Sequence, residues 1–146
     1  MRLRDAGIAD GATLGAILSE FVDQTDWMPR VHTRAEDLAH ADALIARGWV
    51  TVAEVDGRVS GFAACDGASL NALYVAAGAR GQGIGTALLR HLQARQPRLR
   101  LWTFEANAGA QRFYARHGFA EVTRTDGAGN DEGLPDVQLA WDREDA

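Results

Sequence analysis

The segment Leu73-Tyr74-Val75-Ala76-Ala77-Gly78-Ala79-Arg80-Gly81-Gln82-Gly83-Ile84-Gly85-Thr86 is where residue types and spacing first suggest chemistry. Glycines at the alternate positions 81, 83 and 85 leave the backbone uncovered, so the N–H groups from Gly81 to Thr86 stay open. Where such a turn opens a helix, those groups sit at the positive end of the helix dipole and form a cradle for phosphate oxygens. Arg80 adds a permanent positive charge beside them. A ligand bearing a diphosphate suits this arrangement. A Walker loop does not describe it, because Thr86 follows Gly85 with no lysine between them. The dinucleotide fingerprint needs glycine at its first, third and sixth places. Counted from Gly81 the sixth is Thr86, and counted from Gly83 it is Leu88, so that pattern fails as well. A turn needing positive φ ahead of a helix would use the same glycines with no ligand at all.

Composition narrows the other chemistries. All 15 basic residues are arginine, so neither a lysine Schiff base nor a P-loop lysine exists here. The one cysteine, Cys65, allows no internal disulfide and reads as a small buried apolar residue among Ala63, Ala64 and Asp66. His32, His40, His91 and His117 show no metal-ligand spacing, no Ser/His/Asp arrangement stands out, and no metal is expected. With 20 acidic residues the net charge is −5, which disfavours nucleic acid and anionic membrane surfaces as partners. The length of 146 residues, with 47% hydrophobic and 24% charged, suits a single soluble globular domain over 1–146. No run of about 18 apolar residues occurs. The first residues, Met1 to Phe21, lack a signal-peptide pattern, and a reduced, cytoplasmic setting is the expectation.

The elements that must position the glycine turn follow from periodicity. Met1–Asp5 alternates as a short strand, and Asp10 stands as the N-cap of a helix carrying Leu14, Ile17, Leu18 and Phe21. Asp23–His32 reads as a loop. Thr33 with Glu36 is a capping box opening a second helix with Leu38, Ala41, Leu44 and Ile45, closed by Gly48. Trp49–Val55 and Val59–Cys65 are strands joined by the hairpin signal Asp56-Gly57. Leu70–Val75 is a nearly all-apolar strand leading into the glycine turn, and the helix beyond it carries Ile84, Leu88, Leu89 and Leu92 until Pro97. Leu99–Phe104 is a strand, Asn107–His117 a helix ended by Gly118, and Phe119–Arg124 with Val137–Trp141 a closing pair of strands around the polar loop Thr125–Pro135. This is an α/β order with a largely antiparallel first half.

On these elements, Arg80-Gly81-Gln82-Gly83-Ile84-Gly85 resembles the Gln/Arg-x-x-Gly-x-Gly/Ala acetyl-CoA signature of the GNAT family of N-acetyltransferases. Leu73-Tyr74-Val75 resembles the end of that family's fourth strand. Asn107 with Ala110-Gln111-Arg112-Phe113-Tyr114-Ala115-Arg116-His117-Gly118-Phe119 resembles its second signature, Asn…Phe-Tyr…Gly-Phe. The resemblance runs from Arg2 to about Trp141. It implies a mixed α/β fold, a mostly antiparallel central sheet of six to seven strands flanked by about four helices. It also implies acetyl-CoA as cosubstrate, and direct attack by a primary amine in a ternary complex with no covalent acyl-enzyme.

Residue by residue, the resemblance places the backbone of Leu73, Tyr74 and Val75 along the pantetheine arm, in a V where the fourth and fifth strands splay. The Val75 amide then faces the thioester oxygen as charge develops, a contribution of roughly 2.7–4 kcal/mol to the barrier. The amides of Gly81, Gln82, Gly83, Ile84, Gly85 and Thr86, with Arg80, hold the pyrophosphate. Asn107 hydrogen-bonds the arm and Phe113 packs near it. Tyr114 corresponds to the general acid that protonates the departing thiolate; without that role it would extend the apolar face of Ala110 and Phe113. No general base is assigned. The fifth-strand place where some members carry glutamate is Trp102, and Glu105, Asp66 and Glu54 would have to work through water.

The first two helices and their loop wall the acceptor site in this architecture, which puts Trp27, Met28 and His32 near the substrate. Loop carboxylates at Asp23, Asp26, Asp126, Asp131, Glu132 and Asp136 would favour a cationic amine, and a small molecule is expected over a protein. Two rivals stand beside this reading. One is a noncatalytic acyl-CoA-binding module, and the other an acyltransferase for longer chains or protein N-termini. The last strand also offers pairing or swapping between two copies, so a homodimer is one expectation.

Overall fold

The computed structural model describes residues 1–145. The alternating segments become seven strands: β1 (Arg2–Asp5), β2 (Val50–Val55), β3 (Arg58–Asp66), β4 (Ser69–Val75), β5 (Arg98–Phe104), β6 (Ala120–Thr125) and β7 (Asp136–Asp142). They join one sheet in the order β1-β2-β3-β4-β5-β7-β6. Neighbours are antiparallel throughout, except that β4 and β5 run parallel. Four helices cover the sheet: α1 (Gly11–Gln24), α2 (Arg34–Ala46), α3 (Ile84–Arg95) and α4 (Ala108–Arg116).

Strand periodicity divides the core into two layers. Val52, Phe62, Ala64 and Ala72 pack with Leu14 and Ile17 of α1 and Ala41 and Leu44 of α2. Ala53, Ala63, Leu70, Leu99 and Leu101 face the other way, onto Leu88, Leu89 and Leu92 of α3 and Tyr114 of α4. The β2–β3 connection is the expected tight turn. Asp56 and Gly57 take φ of 52° and 77°, the positive pair that lets a two-residue loop follow the strands' twist.

Two local expectations turn out differently. Asp10 precedes α1 but its carboxylate does not cap it. Arg4 holds that carboxylate at 2.8 and 3.0 Å and the Gly7 N–H donates to it at 2.7 Å, closing a short 3-10 turn at Ile8–Asp10 instead. The Arg4 guanidinium keeps the Asp10 carboxyl below its usual range. Leu38 lies 41% exposed at the α1–α2 contact, against Gly15, rather than in the core.

The closing strands pair as expected, but β7 lies between β5 and β6. It is in register with β5 from Arg98↔Asp142 to Phe104↔Asp136, and its other edge is taken by β6. Both edges of β7 are therefore occupied within the chain, and the outer strands of the sheet are β1 and β6. That topology sets up the central feature of the molecule. β4 and β5 share a single register pair, Ser69↔Arg100, and beyond it the two strands part.

Candidate active site

The parting of β4 and β5 opens a groove of about 630 Å³. Leu73 and Val75 line one side and Thr103 and Phe104 the other, Arg80 stands at the rim, and Tyr114 of α4 is in the lining. Backbone groups of two strands that should have paired with each other face this space instead. They are ready-made partners for an extended ligand running between them.

The glycine turn stands at one end of the groove. A 3-10 turn at Ala77–Ala79 follows β4, and Gly81 and Gly83 then take φ of 79° and 78°. A Cβ at either position would meet nothing within 4 Å. Glycine is required there by backbone conformation, and the space above it is open. Gly83 caps α3 with no side-chain hydrogen bond, which leaves the N–H groups of the first helical turn unclaimed. Ile84, 1% exposed, is driven into the core and fixes the direction of that turn. Of Ile84, then, only the amide is placed for a ligand. The Phe113 ring rests 3.5 Å from the place a Cβ of Gly85 would occupy, so this glycine lets the ring close over the turn. The Thr86 hydroxyl lies 3.4 Å from Nε2 of His117. Arg80 and Gln82 are exposed, and Arg80 makes no ion pair among the described residues.

Two polar side chains from the second signature reach the groove. Asn107 caps α4, its Oδ1 accepting from the Ala110 N–H at 3.0 Å, so the oxygen is spent on the helix and the amide NH2 remains for a ligand. Tyr114 is 8% exposed, with its ring edge-on to Phe113 and Phe119, each at 5.2 Å between centroids. Its hydroxyl has no hydrogen-bond partner among the described residues. Among the described residues no sealed side-chain oxygen lacks a hydrogen bond, so this hydroxyl opens onto the groove. Burial pushes the phenol above its ordinary pKa, which keeps the proton in place at neutral pH.

A second cavity of about 610 Å³ lies on the α1/α2 side of β4. It shares Phe21, Asn71, Ala72, Tyr74 and Phe104 with the groove, so the two spaces abut through the splay. Met28 and His32 line it, as anticipated, whereas Trp27 lines neither space. Trp27 packs edge-on between Phe21 at 6.5 Å and Phe104 at 5.8 Å, and plugs the gap between α1 and β5. The side chain of Tyr74 also points to this side, 5.2 Å from Phe21 and 5.8 Å from Phe62, so only its backbone belongs to the groove edge.

α1 and α2 line the cavity together with two loops. Arg30 shapes the first, binding Asp23 at 2.8 Å, Asp37 at 3.1 Å and the carbonyls of Ser19 and His32. The second is the β6–β7 loop, which brings Asp131 and Glu132 to the cavity and Asn130 and Asp136 to the groove. His32 joins the two loops, with Nε2 3.3 Å from Asp131 and Nδ1 3.7 Å from Glu36. Asp23, Asp26 and Asp126 lie outside both spaces. The same holds for the three carboxylates weighed as bases: Glu54 pairs with Arg4 at 2.6 Å, Glu105 with Arg124 at 3.5 Å, and Asp66 ends β3. Asn71 and Asn130 carried no signal in the sequence, since each becomes part of the site only through strand splay or loop return. Cys65 is half-buried, donates to the Gly67 carbonyl at 3.2 Å and has its thiol pushed up to about 11, which makes it unreactive.

Comparison with known proteins agrees with this geometry. The profile of the Acetyltransferase (GNAT) domain matches residues 46–121, from the end of α2 into β6. Peptidyl-lysine N-acetyltransferase YiaC of Escherichia coli is 34% identical over 139 residues, covering 91% of this chain and 93% of that protein. Peptidyl-lysine N-acetyltransferase YjaB of Escherichia coli is 32% identical over 134 residues, covering 90% of each. The apo solution structure of YjaB superposes with a TM-score of 0.81 at 26% identity, over 96% of both chains. The fold is shared as well with YncA of Salmonella typhimurium, solved with its cofactor acetyl-CoA, at a TM-score of 0.75 and 23% identity over 98% of this chain and 94% of that one. The chain therefore belongs to the GNAT acetyltransferases, as an N-acetyltransferase that draws its acetyl group from acetyl-CoA.

Proposed function

We propose that the chain transfers the acetyl group by direct attack of a primary amine in a ternary complex, with Tyr114 as general acid. The unpartnered Tyr114 hydroxyl, opening on the groove between β4 and β5 with its proton held by burial, carries this reading. Residues of the groove fit the donor. The turn amides from Gly81 to Thr86 and the Arg80 guanidinium suit a diphosphate, and the free strand edges at Leu73 and Val75 suit an amide-bearing arm. Bound there, acetyl-CoA supplies an activated acyl carbon. The Val75 N–H is the donor for charge developing on the acyl oxygen, and Tyr114 gives its proton to the sulfur as the C–S bond breaks.

On the acceptor side, the cavity beyond Tyr74 leads to the same point. The activity named for YiaC and YjaB favours a lysyl side chain over the free small amine expected from sequence. Apolar walls at Leu18, Phe21, Val22 and Met28 suit its aliphatic stem. Thermal unfolding with acetyl-CoA, and with NAD and ATP as controls, tests the donor half. At 100 times its Kd, acetyl-CoA is expected to stabilise by about 2.7 kcal/mol, or roughly 5–10 °C, with no such shift from the controls. Equal shifts from all three, or none, would overturn the reading.

A further inference from the structure

The reaction leaves one proton without a destination. A lysyl amine has a pKa near 10.4, so only about one in 2,500 is neutral at pH 7. Two protons must leave the nitrogen, and Tyr114 accounts for one, passed on to sulfur. The strands offer no free carboxylate for the other: Glu54, Glu105 and Asp66 line neither space, and Asp136, which lines the groove, accepts from Thr125 and Asn130.

The cavity wall does offer one. Four carboxylates line it: Glu36, Asp37, Asp131 and Glu132. Three already have partners. Asp37 accepts from Ser19 at 2.6 Å and Arg30 at 3.1 Å, Glu36 is held in the Thr33 capping box, and Asp131 meets His32. Glu132 is half-buried in the same wall and has no hydrogen-bond or ion-pair partner among the described residues. The other charged or titratable groups on this wall are Arg30, committed to Asp23 and Asp37, and the imidazoles of His32 and His40. Tyr74, one of the residues shared with the donor groove, lines the same cavity, and its phenol is raised first by burial and next by the negative charge of Glu132.

We propose that Glu132, delivered by the β6–β7 loop, is the general base that takes the proton from the incoming ammonium before it passes Tyr74. The proposal rests on the acetyl transfer described above. The ammonium gives one proton to the Glu132 carboxylate. The neutral nitrogen forms the C–N bond while the C–S bond breaks, Tyr114 protonates the sulfur, and the nitrogen's second proton restores Tyr114. Glu132 releases its proton to solvent at the cavity mouth. The apolar collar of Phe21, Tyr74 and Phe104 favours this order, since a charged amine loses hydration on entering it.

The test compares the pH dependence of kcat/KM for the unaltered chain with Glu132→Gln and Glu132→Asp, using an Nα-acetylated lysine peptide amide as acceptor. Asp126→Asn, on the same loop but outside both spaces, is the control. The unaltered chain and the control are expected to be level from about pH 6 to about pH 9. Glu132→Gln is expected to fall roughly 10²- to 10³-fold near neutral pH and then climb tenfold per pH unit as the free amine supplies its own lone pair. Glu132→Asp keeps a carboxylate and is expected to stay level at a reduced rate. A level profile for Glu132→Gln, whether undiminished or uniformly lowered, would overturn the proposal and mark the residue as structural or idle. The acetyl-CoA thermal shift, measured on every variant, reports folding and the donor half separately. An unaltered chain that shows this shift and leaves the peptide unacetylated overturns the base and the lysyl acceptor together, and leaves the donor assignment standing.

Discussion

On the donor side of β4, the surface offered to a ligand is largely backbone. It consists of two strand edges parting after Ser69↔Arg100, a left-handed turn at Gly81 and Gly83, and the uncapped first turn of α3. On the acceptor side it is side chains, from α1 and α2 and from two loops about a hundred residues apart that meet through contacts such as His32–Asp131 at 3.3 Å. Backbone donors are fixed wherever the fold is fixed, and many sequences can supply them provided the glycines stay. A wall of side chains is redrawn by any substitution in either loop. One half of the molecule is therefore a backbone geometry and the other a particular set of residues. Substitutions on the two sides should fail in different ways.

The largest expected effect comes from the one side chain that the donor half cannot replace with backbone. Tyr114→Phe keeps the ring against Phe113 and Phe119 and deletes only the phenol. A fall in kcat of about 10²- to 10⁴-fold is expected, with Tm and the acetyl-CoA thermal shift unchanged. Loss of donor binding instead would show that the hydroxyl holds the ligand and has no part in proton transfer.

Next comes the turn itself. Gly83→Val forces a β-branched residue into φ near 78°, at a cost of about 1–2 kcal/mol or more, although its Cβ would meet no atom within 4 Å. Expected are a loss of several degrees in Tm and a KM for acetyl-CoA raised about tenfold, with the acceptor KM near its original value. Gln82→Ala, on an exposed side chain between the same glycines, should leave both within about twofold. A Gln82 effect as large as that of Gly83 would break the claim that backbone does the holding.

How much of this was legible in the sequence follows the same division. Signals confined to a few residues survived folding. Thr33 and Glu36 exchange both bonds of their capping box, at 2.9 and 3.1 Å, because the two partners lie within one helical turn and His32 approaches only the other carboxylate oxygen. Asp10 carried an equally local signal, yet Arg4, in an adjacent strand, takes its carboxylate. The glycine turn and the Asn107…Tyr114 helix were readable because each lies within one contiguous stretch and draws its role from backbone or capping geometry. β7 was readable as a strand but not as the neighbour of β5, since nothing local in Val137–Trp141 states which edge it joins. Trp27 was expected near the substrate and instead lines neither space, because Phe21 and Phe104 enclose it. Glu132 looked like one more loop carboxylate. Only the return of the β6–β7 loop brings it into the cavity that Tyr74 lines.

The smallest expected effect concerns the link between the two acceptor loops. The side chains of His32 and Asp131 are 46% and 74% exposed, so their contact is screened by water, and pairs of this kind contribute about 0.2–1 kcal/mol. His32→Ala should therefore raise the acceptor KM by no more than about fivefold, while the acetyl-CoA KM, set by backbone on the other side of β4, stays put. Asp131→Asn should reproduce the effect, and the double variant should do little more than either single one, because both remove the same contact. High salt should shrink the difference from the unaltered chain. Additive effects would mean that His32 and Asp131 each meet the acceptor directly, and the loops would then be two independent walls. A matching change in the acetyl-CoA KM would be more damaging, because it would show that side-chain loops reach through the splay and help to set the donor groove.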